Sequence, residues 1–167
     1  MKSGRFLALA VSFLAAAAVV AQGFGDMKPK TVPKAKVSGP VFLPAADLKW
    51  VDLDPSGKFP GVVIADAWGD HTTGAYGAFI KFPAGFTTPL HTHTNTTKLV
   101  IISGTFIQTP EGKPAVRLGP GSYLMQPGGS YRHVTACDKA SECLFFAQSS
   151  AKFDLVPATA AKAPASK

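Results

Sequence analysis

Residues 85–104 read Gly85-Phe86-Thr87-Thr88-Pro89-Leu90-His91-Thr92-His93-Thr94-Asn95-Thr96-Thr97-Lys98-Leu99-Val100-Ile101-Ile102-Ser103-Gly104. Glycine opens and closes the stretch, His91 and His93 stand one residue apart in its middle, and an aliphatic, β-branched run ends it. In a strand successive side chains leave on opposite faces, so a His-x-His pair sends both imidazoles into one space. Counting by twos from His93 puts Thr97, Leu99 and Ile101 on that same side and Val100 and Ile102 on the other. Both faces of such a strand are then apolar. One lines a core, and the other needs a cover, either the segment Val41-Phe42-Leu43 or a second subunit.

Outward from this stretch the same signals recur. Short runs rich in β-branched and aromatic residues predict strands at Val62 to Ala65, Tyr76 to Phe82, Thr96 to Ile102, Thr105 to Gln108, Ala115 to Leu118, Ser122 to Gln126, Tyr131 to Thr135 and Cys143 to Ala147. Turn clusters separate them, such as Pro83-Ala84-Gly85, Pro110-Glu111-Gly112 and Gly119-Pro120-Gly121. No segment of this body keeps a helical apolar period beyond two turns, which predicts an all-β sandwich or barrel. Tyr76, Phe79, Phe82, Phe86, Phe106, Tyr123, Phe145 and Phe146 supply its core filling, and those nearest the histidines also supply pocket walls.

A third histidine, His133, follows Pro127-Gly128-Gly129. Gly85, five residues, His91, one residue, His93, three residues, Thr97, six residues and Gly104 match four of the five marked positions of G-x5-H-x-H-x3-E-x6-G. Gly121, five residues, Pro127, one residue, Gly129 and then His133 approximate G-x5-P-x-G-x2-H. Over roughly residues 60 to 150 the chain therefore resembles the cupin family. The resemblance implies a single β-barrel of jelly-roll type, a homodimer, and a divalent metal (zinc, iron, copper or nickel) held by His91, His93 and His133. Two departures stand out. Thr97 occupies the family's glutamate position, and a neutral hydroxyl substitutes poorly for an anionic ligand. Three residues, Ser130, Tyr131 and Arg132, separate Gly129 from His133 where the family has two. Without a bulge at Gly128-Gly129, that extra residue turns Arg132 inward and His133 outward.

Three neutral imidazoles leave coordination positions for water or substrate. This chemistry suits a metal-dependent enzyme (an oxygenase, isomerase or hydrolase) acting on a small oxygen-rich molecule. It equally suits a non-catalytic binder of metal or small ligand, and a structural domain whose histidines bind nothing stays open beside them. Asp66, Asp70, Glu111 and Glu142 are carboxylates available as a base or further ligand, and His71 reads as an exposed loop residue. No catalytic residue is singled out. Gly-x-Ser-x-Gly and phosphate-cradling glycine loops do not occur.

The ends of the chain have a different composition. Lys2 and Arg5, an apolar run from Phe6 to Val20 and the small residues up to Ala21 predict a signal peptide over 1–21. The run is shorter than the ~20 apolar residues that span a bilayer, so no lasting membrane anchor is expected. A Lys/Pro-rich linker over 22–40, a domain over 41–157 and a flexible tail over 158–167 complete the layout, in a periplasmic or secreted protein. The formal charge is +7, yet residues 41–157 hold nine basic and nine acidic residues. The basic excess lies in the ends, and no basic face interleaved with aromatics speaks for nucleic acid. In an oxidising compartment Cys137 and Cys143 predict a disulfide across a hairpin.

Overall fold

The structure, a computed structural model, describes residues 39–159. The expected signal peptide at 1–21, nearly all of the linker at 22–40 and the tail from 160 onward lie outside the described residues. Apart from a single 3-10 turn at Ala45–Asp47, the described regular structure is all β. The strands are β1 (Val51–Asp52), β2 (Val63–Gly69), β3 (Tyr76–Phe82), β4 (His91–Thr92), β5 (Thr97–Ser103), β6 (Phe106–Pro110), β7 (Val116–Leu118), β8 (Tyr123–Gln126), β9 (His133–Cys137), β10 (Cys143–Ser149) and β11 (Val156–Pro157). One antiparallel sheet runs β1-β2-β3-β10-β5-β8, and the other runs β11-β4-β9-β6-β7.

Alternating burial on the central strands orients the sheets. On β3, Tyr76, Ala78, Ile80 and Phe82 are buried, and on β10 so are Cys143, Phe145 and Ala147. Phe106 from the second sheet meets Phe145 with ring centroids 5.0 Å apart, which closes the core between the layers. Phe79 and Phe146 point the other way and pack on each other at 5.2 Å, outside that core. Tyr123 is exposed.

On β5, Thr97, Leu99 and Ile101 face in, whereas Val100 and Ile102 are 43% and 40% exposed. Val100 pairs with Tyr123 and Lys98 with Met125, so the outer apolar face continues onto β8. Val41, Phe42 and Leu43 are themselves exposed, at 78%, 85% and 41%. These residues therefore do not form the internal cover that was one of the two expectations for this face.

Cys137 and Cys143 are bonded, with Cα atoms 5.8 Å apart. They join the end of β9 to the start of β10, one strand from each sheet. By the chain-entropy argument so short a loop contributes about 2 kcal/mol.

The strand expected at Tyr131 to Thr135 begins two residues later, at His133. Pro127 to Arg132 form a loop instead, which sets the parity of β9 afresh and makes the spacing departure harmless. Gly128 passes so close to the neighbouring backbone that a Cβ would lie 2.5 Å from the Thr94 carbonyl oxygen. Gly129 has φ +86°, a conformation that glycine adopts without strain, and its N–H donates to His93 O at 2.8 Å. Arg132 consequently does not turn inward. Its Nη1 lies 3.0 Å from Glu111 Oε2, and its other terminal nitrogen donates to Thr159 O.

Candidate metal centre

β4 and β9 pair through a single register match, His91 opposite His133. Residues directly opposite in an antiparallel pair share a face, so these two imidazoles meet inside the sandwich with ring centroids 4.2 Å apart. His93, two residues beyond His91, returns to the same face, its ring 4.9 Å from His91 and 5.3 Å from His133. All three are buried, at 2%, 8% and 0% exposure. One nitrogen from each ring lies within 4.8 Å of the others, so the three can hold a metal ion.

The outward nitrogens explain how the rings are held. His91 Nδ1 donates to Pro89 O at 2.8 Å, His93 Nδ1 to Asp154 O at 2.5 Å and His133 Nδ1 to Tyr131 O at 3.2 Å. A carbonyl oxygen only accepts, so each ring carries its proton on Nδ1 and keeps an unprotonated Nε2. Such a hydrogen bond on the far nitrogen fixes tautomer and orientation as metal-bound histidines require. Burial reinforces this by disfavouring the charged ring. It is the main cause that lowers His91 and His133 to about 4, and it also pulls His93 below its ordinary value against the opposing influence of Asp154. The donor set is therefore neutral and ready for a cation at ordinary pH, which is the fit a borderline divalent metal needs.

His91 and His93 open onto a narrow cavity of about 50 Å³ between the sheets, which Gln126 also lines. Its walls include Tyr76, Phe82, Phe86, Phe106 and Phe145. The volume admits a few water molecules or a small organic group. Among these walls Tyr76 is fully buried and its hydroxyl has no hydrogen-bond partner among the described residues. Burial, and then the charges of Asp66 and Asp154, raise its pKa, so it stays an O–H donor.

The remaining candidates lie elsewhere. Asp66 accepts from His71 Nδ1 at 2.8 Å, and Asp70 caps a turn through Thr72. His71 is buried, at 9% exposure, and not exposed as its loop position suggested, because the Asp66 carboxylate satisfies it inside. Asp66, Asp70 and His71 form a second cluster of donors. Glu111 faces Arg132, and Glu142 lies 3.7 Å from Lys81. Neither the carbonyls that hold the rings nor Gln126 stood out in the sequence. Gln126 is 3% exposed, with its side-chain nitrogen 3.3 Å from His133 Nε2. A polar residue at an inward parity just before Pro127 was the available signal.

Two face-to-face antiparallel sheets with inward histidines from adjacent strands make a cupin-like fold. The solved structures agree on the fold. The polyketide cyclase RemF from Streptomyces resistomycificus is 12% identical with a TM-score of 0.60, covering 74% of this chain and 89% of its own. An RmlC-like cupin from Shewanella frigidimarina is 16% identical with a TM-score of 0.53, covering 67% and 91%. The DMSP lyase DddQ from Ruegeria pomeroyi is 20% identical with a TM-score of 0.53, covering 67% and 61%. No curated protein matches the sequence. The chain belongs to the family described as "Domain of unknown function (DUF4437)", which matches residues 65–167.

Proposed function

We propose that this protein binds one divalent metal ion through His91, His93 and His133 and presents it to a small oxygen-bearing molecule in the cavity. The observation that carries the reading is the convergence of three buried imidazoles, each held by a backbone carbonyl with its second nitrogen unprotonated. When bound, a metal in such a neutral site supplies Lewis acidity and lowers the pKa of bound water. The chain supplies the rest. The aromatic walls limit ligand size and exclude bulk water, and the Tyr76 hydroxyl offers a hydrogen bond to an oxygen of the ligand. Similar folds that are enzymes, such as the cyclase and the lyase above, lend support to turnover as the use of the site, with binding alone as the alternative.

Metal analysis of anaerobically purified protein tests the centre. Wild type is expected to retain about one equivalent, and the His91→Ala/His93→Ala variant almost none; equal content in both overturns the proposal. Oxygen uptake and product formation against small acids, phenols and sugars then separate turnover from binding.

The same reading includes an exported location, which the disulfide supports, and a second copy of the chain against Val100, Ile102, Tyr123 and Met125, all exposed on one sheet face. Sedimentation is expected to show a dimer that Val100→Lys/Tyr123→Lys dissociates. A wild-type monomer at every concentration would exclude it.

A further inference from the structure

We propose that the side-chain amide oxygen of Gln126 is the fourth protein ligand of the metal, taking from the neighbouring strand the role that Thr97 is too short to play. The inference rests on the metal-binding reading above. Thr97 and Gln126 are direct register partners across β5 and β8, and both are buried facing the core. A side chain two bonds longer at Gln126 thus enters the same space from the adjacent strand. It ends 3.3 Å from His133 Nε2, the ring nitrogen left free when Nδ1 donates to the Tyr131 carbonyl.

With no metal bound, the contact has one consistent polarity. His133 Nε2 carries a lone pair, so the Gln126 NH2 donates to it, and the same NH2 donates to Gln108 Oε1 at 3.2 Å. Gln108 Oε1 also accepts from Thr135 Oγ1 at 3.0 Å, and Gln108 Nε2 donates to Tyr131 Oη at 3.4 Å. All five side chains lie in one buried or half-buried network. A cation on His133 Nε2 consumes the lone pair and repels the NH2. Turning the Gln126 amide about its last torsion removes the repulsion and presents Oε1 to the ion. Gln126 Oε1 would then confront Gln108 Oε1, so the Gln108 amide must turn with it, giving its NH2 to Gln126 and its oxygen to the Tyr131 hydroxyl. The two glutamines therefore act as a geared pair with one setting for the metal-free site and one for the filled site.

Cobalt(II) titration of the chelator-stripped full chain, followed by visible absorption and by competition with a chelator, tests this. Gln126→Leu is expected to weaken cobalt roughly 10- to 100-fold, in line with groups that support metal ligands, and to change the d–d bands. Gln126→Glu, which keeps the volume and adds a charge, is expected to bind at least as tightly as wild type, again with altered bands. Metal-free melting temperatures of both variants report whether they fold. Wild-type affinity and wild-type bands in both folded variants overturn the Gln126 assignment while leaving the three-histidine centre standing. If neither variant folds, Gln126→Asn, one methylene shorter, takes their place, and unchanged affinity and bands there overturn it equally. No cobalt binding by wild type overturns both.

Discussion

Stripped of metal, the protein is expected to lose on the order of 5 kcal/mol of stability as the pH falls from 6.5 to 4, because His91 and His133 are both held at about 4 in the folded state. The sign follows from proton counting. Unfolded, each ring titrates near the ordinary histidine value of 6.5; folded, it resists protonation until about 4. Between those values the unfolded chain binds more protons, so stability is complete above 6.5 and drains as the pH falls through the window. Every tenfold weakening of a ring's proton affinity on folding corresponds to about 1.4 kcal/mol, and the loss is comparable with the whole stability of an ordinary domain. Urea unfolding of the metal-free protein at a series of pH values measures it. His133→Asn, with one fewer titrating ring, is expected to show a shallower dependence. A flat profile between pH 6.5 and 4 would mean that the rings are not buried as described.

Removal of Phe106 is expected to cost roughly 3–5 kcal/mol, the range for truncating a buried phenylalanine to alanine. Phe106 is 1% exposed, packs edge-on against Phe145 at 5.0 Å and stacks on Phe82 at 6.2 Å. It is the side chain of the second sheet that enters the aromatic cluster of the first, so its loss opens a void between the layers. Denaturant unfolding of Phe106→Ala gives the value directly, and a change under about 1 kcal/mol would show that the layers close over the gap.

Much of the fold was legible because its information is local. Alternation alone placed Leu99 and Ile101 inside and Val100 and Ile102 outside, since parity survives uncertainty about where a strand starts. It failed to set the aim of His133, because Pro127 to Arg132 leave the sheet and parity is meaningless across a loop. The two-residue strands β1, β4 and β11 carry too few residues to show a period. At the site, the motif spacing singled out the histidines, but their partners are contacts between segments distant in sequence. The oxygen that holds His93 belongs to Asp154, and Gln126 meets His133 only once β5, β8 and β9 are assembled. His71 looked exposed beside Asp70 because nothing local reveals that Asp66 waits for it inside.

The three oxygens that hold the imidazoles are all main-chain atoms, of Pro89, Tyr131 and Asp154. A main-chain oxygen survives every substitution that leaves the path of the backbone intact. The protonation pattern of the centre can thus outlast extensive divergence in the identities of those neighbours. Mutation can redraw the cavity, and with it the choice of guest, while the grip on the three rings is inherited unaltered.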